Sequence, residues 1–211
     1  MTKKGILFDM DGTLINTYEN INFRQALSEL KTVQKTLILK ILKSRVRSFA
    51  EMETRILQEV EDPAEGKELV RRVSDFLLEH YDNAPLKKDA LMFLQYVKQK
   101  NYKICLCTNN ATEIVSHILR EKHMEAYFDY VITSQQVTRS KPDPQMYLEA
   151  LHNIDLTAEE CIVFEDTENG VMAARNAVID VIVVNDKEKR KYSDALMTIR
   201  DFGDYRLYQE F

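Results

Sequence analysis

Two acids one residue apart, Asp9 and Asp11, follow the apolar run Gly5–Phe8 and precede Gly12 and Thr13. Four apolar residues bounded by charged ones predict a strand buried on both faces. Such a strand cannot carry an unpaired carboxylate without a large desolvation cost, so both acids are expected at its mouth. Gly12 permits a tight turn there, and Thr13 adds a hydroxyl. An ordinary solvated turn accounts for one Asp-Gly pair but gives no reason for DxDGT directly after buried residues. Other polar groups follow later strand-like runs. Thr108 and Asn109 come after Lys103–Cys107, Lys141 after Tyr130–Thr133, and Glu165 with Asp166 after Cys161–Phe164. Each has a plain structural reading as a helix cap, a loop or a solvated helix start. Gathered at one sheet edge, they combine a nucleophile-capable pair of acids, a hydroxyl with an amide, a cation and a second acid pair. Carboxylates crowded in this way raise one another's pKa values unless a cation joins them, and their oxygens suit Mg²⁺. Lys141, Thr108 and nearby backbone N–H groups would then hold phosphate oxygens, which is what phosphoryl transfer requires.

The elements that must position these groups are legible in the apolar spacing. From about Asn16 to Ala84 the pattern is helical, over Asn20–Leu30, Val33–Val46, Phe49–Val60 and Glu65–Tyr81, which predicts a helical bundle inserted just after the acidic loop. From Pro85 the texture changes to alternating helix and strand. Helices are expected over Ala90–Lys100, Glu113–Glu121, Pro144–His152 and Val171–Ala177, with Asp143 as the N-cap of the third and Pro144 at its first position. The last buried strand is Val181–Val184. Short apolar strands alternating with helices predict a parallel sheet with right-handed crossovers, and in such sheets ligands bind beyond the carboxyl ends of the strands. The tail after Asn185 gives no firm pattern.

The 211 residues suit one full domain with an insertion, or one large and one small domain. A composition of 45% hydrophobic and 30% charged residues is that of an ordinary globular protein, and a net charge of -5 argues against a nucleic-acid partner. No apolar run approaches the ~18–20 residues that span a bilayer. The opening MTKKGIL lacks the apolar core of a signal peptide, so a cytoplasmic location is expected. Cys105, Cys107 and Cys161 fall in strand-like runs and read as buried reduced thiols.

Four motifs, FDMDGTL at Phe8–Leu14, CTNN at Cys107–Asn110, SKPDP at Ser140–Pro144 and FEDTENG at Phe164–Gly170, resemble in order and spacing those of the haloacid dehalogenase superfamily. The resemblance is closest to the subfamily containing β-phosphoglucomutase and phosphoglycolate phosphatase. It implies a three-layer α/β Rossmann-like core with a parallel sheet, formed by residues 1–15 and 85–211, plus an all-helical cap domain over residues 16–84. It further implies a Mg²⁺-dependent phosphatase acting on a small phosphorylated metabolite through an aspartyl-phosphate. Asp9 would be the nucleophile and Asp11 the general acid/base. Thr108, Asn109 and Lys141 would bind the substrate phosphate. Asp9, the backbone carbonyl of Asp11, Glu165 and Asp166 would hold the metal, and Gly170 would let the following helix pack closely. The protein would be a monomer or weak homodimer without nucleic-acid or membrane partners. A sugar-phosphate mutase is the nearer rival, but that relative's Gly-x-Ser-Arg cap loop is matched here without its glycine, at Ser44-Arg45 and Arg47-Ser48, and no His precedes His80. A receiver domain would be shorter and lack the insert, while a phosphate-binding regulatory protein of the same fold would have lost one of Asp9, Asp11, Lys141 or Asp166. Arg24, Lys43, Arg45 and Arg47 are candidates for a second anionic group of the substrate, although charged residues on helices are more commonly solvated.

Overall fold

In the computed structural model the described residues are 2–17, 30–43, 49–184, 192 and 195–211. Six parallel strands form one sheet in the order β3-β2-β1-β4-β5-β6. They are β1 (Gly5–Phe8), β2 (Lys103–Cys107), β3 (Tyr130–Ile132), β4 (Cys161–Glu165), β5 (Asp180–Val184) and β6 (Met197–Ile199). Five of them follow the apolar runs expected from the sequence. The sixth, β6, is a three-residue strand in the tail whose composition carries no strand signal, and its pairing with β5 defines it.

The helices are α1 (Thr32–Lys43), α2 (Phe49–Glu59), α3 (Pro63–Asn83), α4 (Ala90–Gln99), α5 (Thr112–Glu121), α6 (Gln145–Ile154), α7 (Glu168–Asn176) and the short α8 (Leu207–Glu210). Among the described residues, the first three lie in the insert between β1 and α4. The helix expected over Asn20–Leu30 lies almost wholly outside the described residues, as do Arg24, Arg45 and Arg47. Pro144 is the residue before α6 rather than its first, yet Asp143 Oδ1 still accepts from the Gln145 N–H at 3.0 Å. Pro144 thus takes the N-cap position expected of Asp143, and Asp143 stands one residue before it, bonded to the first N–H of the helix.

Residues along each strand alternate between two apolar layers, as the pleat demands. Ile6, Phe8, Ile104, Leu106, Ile162 and Phe164 point to the layer shared with α4, α5 and the chain's end. Leu7, Cys105, Cys107, Val163, Val181 and Val183 point to the layer shared with α6 and α7. The first layer centres on rings: Phe8 stacks on Phe164 with centroids 4.9 Å apart, and Phe93 of α4 meets Phe202 at 5.4 Å. The three cysteines are free and buried, and burial pushes the thiols of Cys105 and Cys161 up to about 12. No helix among the described residues is long and apolar enough to cross a membrane.

The insert joins the core through a short paired segment. Ile15 bridges Leu86 antiparallel, the Asn16 N–H donates to the Pro85 carbonyl at 2.9 Å, and the Lys87 N–H donates to the Leu14 carbonyl at 2.8 Å. Replacing Phe93, fully buried among Phe8, Phe164, Phe202 and Tyr208, with alanine should cost about 3–5 kcal/mol. Urea unfolding of Phe93→Ala checks this; a loss below 1 kcal/mol, on the order of a surface substitution, would show that the ring layer does not carry the core.

Candidate active site

Parallel register brings the polar groups together. Phe8 pairs with Leu106 on one side and Phe164 on the other, so the next residues, Asp9, Cys107 and Glu165, leave adjacent strands at the same height. The Asp9 N–H extends the ladder to the Phe164 carbonyl at 2.9 Å. Beyond it the chain turns at once. Gly12 takes a left-handed φ of 78° and its N–H donates to the Ile15 carbonyl at 2.7 Å, a conformation that favours glycine.

The ammonium of Lys141 sits in the middle of this edge and is 2% exposed. Nζ donates to Asp9 Oδ1 at 2.7 Å, to Glu165 Oε1 at 2.6 Å and to the Cys107 carbonyl at 2.8 Å. Three acceptors match the three protons of an ammonium. The Tyr147 ring lies 5.0 Å below Nζ, and its hydroxyl donates to Glu165 Oε1 at 2.8 Å. Burial alone would lower the Lys141 pKa, but the carboxylates of Asp9 and Glu165 outweigh it and the net shift is upward.

Glu165 is fully buried. Its second oxygen accepts from the N–H of Asp166 at 3.1 Å and from the Thr167 hydroxyl at 3.2 Å. Thr167 also caps α7 by accepting from the Gly170 N–H at 3.1 Å. A Cβ on Gly170 would come within 1.8 Å of the Glu165 carboxyl carbon. The close approach expected of Gly170 is therefore to this carboxylate. Glu165, with both oxygens engaged, braces Lys141 from inside the fold.

Asp9, Glu165 and Asp166 offer carboxylate oxygens that all lie within 4.8 Å of one another. Burial raises Asp9 well above the usual carboxylate range, Glu165 adds to it, and Lys141 opposes it. Asp166 is pushed up to about 9, by burial first and then by Asp9, Glu165 and Asp11. The Thr13 hydroxyl reaches Asp166 Oδ1 at 3.4 Å. Crowded hard oxygens with raised proton affinity are the donor set that a divalent cation such as Mg²⁺ relieves.

Asp11 stands across the loop, half-buried, and its carboxylate accepts from Tyr81 and Asn110. Burial raises its pKa, against a lowering by the Tyr81 hydrogen bond. Thr108 is buried at the end of β2, with its N–H on the Ile132 carbonyl at 3.0 Å and its hydroxyl accepting from the Asn110 N–H at 3.2 Å. The Asn109 carbonyl accepts from the Phe49 N–H at 3.2 Å, which brings the first residue of α2 against this loop. Asp9, Glu165, Asp166 and Lys141 thus form one cluster, Asp11 and Thr108 both bond to Asn110 beside it, and Asn109 faces the insert.

Sequence reasoning did not single out Tyr81, Tyr147, Thr167 or the side chain of Asn110. Asn110 lies inside the CTNN motif, and a tyrosine on the otherwise apolar face of α6 was a signal for Tyr147. Tyr81 had no local signal, because its partner is 70 residues away.

Gly170→Ala should destabilise the protein by about 1–3 kcal/mol, because backbone and a braced carboxylate must separate to admit the methyl. Thermal denaturation checks it, and an unchanged midpoint would mean that Glu165 is free to move.

The sequence profile of the haloacid dehalogenase-like hydrolase family matches residues 3–177. A phosphorylated carbohydrates phosphatase of Thermotoga maritima is 32% identical over 188 residues, which span 85% of this chain and 83% of that protein. Pyrophosphatase PpaX of Listeria monocytogenes serotype 4a is 30% identical over 179 residues, 82% of this chain and 78% of its own length. The crystal structure of CbbY from Rhodobacter sphaeroides in complex with phosphate superposes with a TM-score of 0.75, at 22% identity, over 96% of each chain.

Proposed function

The chain belongs to the haloacid dehalogenase-like hydrolase family, and on that premise we propose that it is a Mg²⁺-dependent phosphatase hydrolysing a small phosphorylated metabolite. The observation that carries this reading is the Lys141 ammonium held 2.7 Å from Asp9, with Asp166 and Asp11 at the same edge. Relatives named for phosphorylated carbohydrates and for pyrophosphate support phosphorus as the reacting centre.

In this reading an Asp9 carboxylate oxygen attacks the phosphorus of the monoester. A P–O bond forms to Asp9 as the bond to the alcohol oxygen breaks, and Asp11 gives that oxygen a proton. Asp11 then takes a proton from water as the water oxygen attacks phosphorus, which releases inorganic phosphate and restores Asp9. Lys141 keeps Asp9 oriented and balances the charge that passes to the phosphoryl oxygens. Thr108 and Asn109, which follow β2, would add further contacts to the phosphate.

Asp9 and Asp166, with the Asp11 backbone carbonyl, would hold the metal, and Glu165 completes the acidic group from its buried position. When bound, Mg²⁺ supplies positive charge that screens the substrate phosphate from these acids. The insert over residues 16–84 is the cap that closes the crevice and selects the alcohol part of the substrate. The buried free cysteines suit a reducing, cytoplasmic setting.

Asp9→Asn keeps shape and removes the nucleophile, so hydrolysis of p-nitrophenyl phosphate should fall to background while the circular dichroism spectrum stays that of the folded wild type. EDTA should silence the wild type and Mg²⁺ restore it. Retained turnover in the variant would overturn Asp9 as the nucleophile, and metal-independent turnover would overturn the cation.

A further inference from the structure

Asp11 is gripped by donors from two distant parts of the chain. The Tyr81 hydroxyl donates to Oδ1 at 2.6 Å and Asn110 Nδ2 donates to Oδ2 at 2.5 Å. Asn110 Nδ2 also donates to the Tyr81 oxygen at 2.6 Å, which closes a ring of three hydrogen bonds. An amide nitrogen donates and does not accept, so the proton of the Tyr81 hydroxyl is left to point at Asp11.

Tyr81 is buried in the last turn of α3, where the insert rejoins the core. Its neighbour His80 places Nε2 2.7 Å from the Thr17 carbonyl, which ties the outgoing connection to the same turn. The paired segment Ile15–Leu86 lies next to both. The side chain that touches Asp11 thus comes from the insert at its point of attachment, and Asn110 comes from the core loop after β2.

We propose that Tyr81 is a positioning residue for Asp11: its hydroxyl, aimed by Asn110, fixes the carboxyl so that proton transfer to the leaving oxygen occurs from one defined direction. This rests on the reading of Asp11 as general acid/base. A carboxylate oxygen has two lone-pair directions, and Tyr81 and Asn110 occupy one on each. A short bond from a buried, rigid ring restricts rotation of the Asp11 carboxyl more than a flexible donor would, and misplacement of a catalytic group by about 1 Å is enough to cost rate.

Leaving-group dependence separates this role from a merely structural one. Phenolate is a poor leaving group and needs the Asp11 proton as its bond to phosphorus breaks, whereas p-nitrophenolate departs with little help. Tyr81→Phe removes one oxygen atom. It should lower kcat/KM for phenyl phosphate by about tenfold or more and for p-nitrophenyl phosphate by less than about threefold, a steeper slope across a graded series of aryl phosphates. Asn110→Ser breaks the ring from the core side and should steepen the slope as well, so the test survives poor folding of either variant. The double variant should be no steeper than the worse single one, as expected of groups acting as a unit.

An equal loss across the series marks a structural contact and overturns the proposal, as does no loss, or a gain at every ester. The parent reading is tested separately by wild-type hydrolysis that disappears in Asp9→Asn. If the wild type hydrolyses none of these esters, that reading falls and this one with it.

Discussion

A buried ammonium with three oxygen acceptors, two of them carboxylates, is the constraint on which the rest of this site depends. Taking Lys141 out of water is costly unless every proton of its head group is satisfied, and Asp9, Glu165 and the Cys107 carbonyl do so. The same contact places one positive charge between two buried acids and opposes the rise that burial imposes on the Asp9 pKa. Asp9, Cys107 and Glu165 come from three adjacent strands, and the lysine comes from the loop before α6. Removal of the cation would leave opposed carboxylates facing each other without compensation, a larger penalty than the loss of one hydrogen bond.

The sheet makes that convergence possible. Parallel pairing sets β1, β2 and β4 in register, so residues following each strand arrive together without special loop geometry. The two apolar layers fix the strands rigidly, and the loops beyond them are free to carry chemistry. Around the lysine lie residues whose part is support. Tyr147 sits against both Nζ and Glu165, Thr167 bonds Glu165 while capping α7, and Gly170 leaves the space that Glu165 fills. Held in this way, Asp9 is orientated by contacts that do not involve substrate at all.

Much of this was readable from residue order. Continuous apolar runs named five strands, because strands buried on both faces have no polar positions to disguise them. The acids and the threonine stood at the ends of those runs, where Asp9, Glu165 and Asp166 gather around Lys141 from the loop before α6 and Thr108 lies beside them. What escaped was long-range or carried by the fold. Strand β6 is specified by its neighbour β5 rather than by three residues of its own. Glu165 reads as one of a pair of acids beyond a strand end, whereas it is the last residue of β4 and its pairing with Val183 in the ladder draws it inside. The Tyr81–Asp11 bond spans 70 residues and depends on how the insert returns to the core, which no local pattern encodes.

The insert and the core therefore meet at the Asp11 side chain as well as at a backbone junction, and the proposed chemistry turns on whether Asp9 itself carries the phosphoryl group. The most direct test is to mix the enzyme with p-nitrophenyl phosphate, quench in acid during the first turnover, and map the modified peptide by mass spectrometry. A phosphoryl group on the peptide containing Asp9, formed as fast as p-nitrophenolate is released and missing from Asp9→Asn, is the predicted result. Release of p-nitrophenolate and phosphate with Asp9 never labelled, or with the label on another residue, would contradict it.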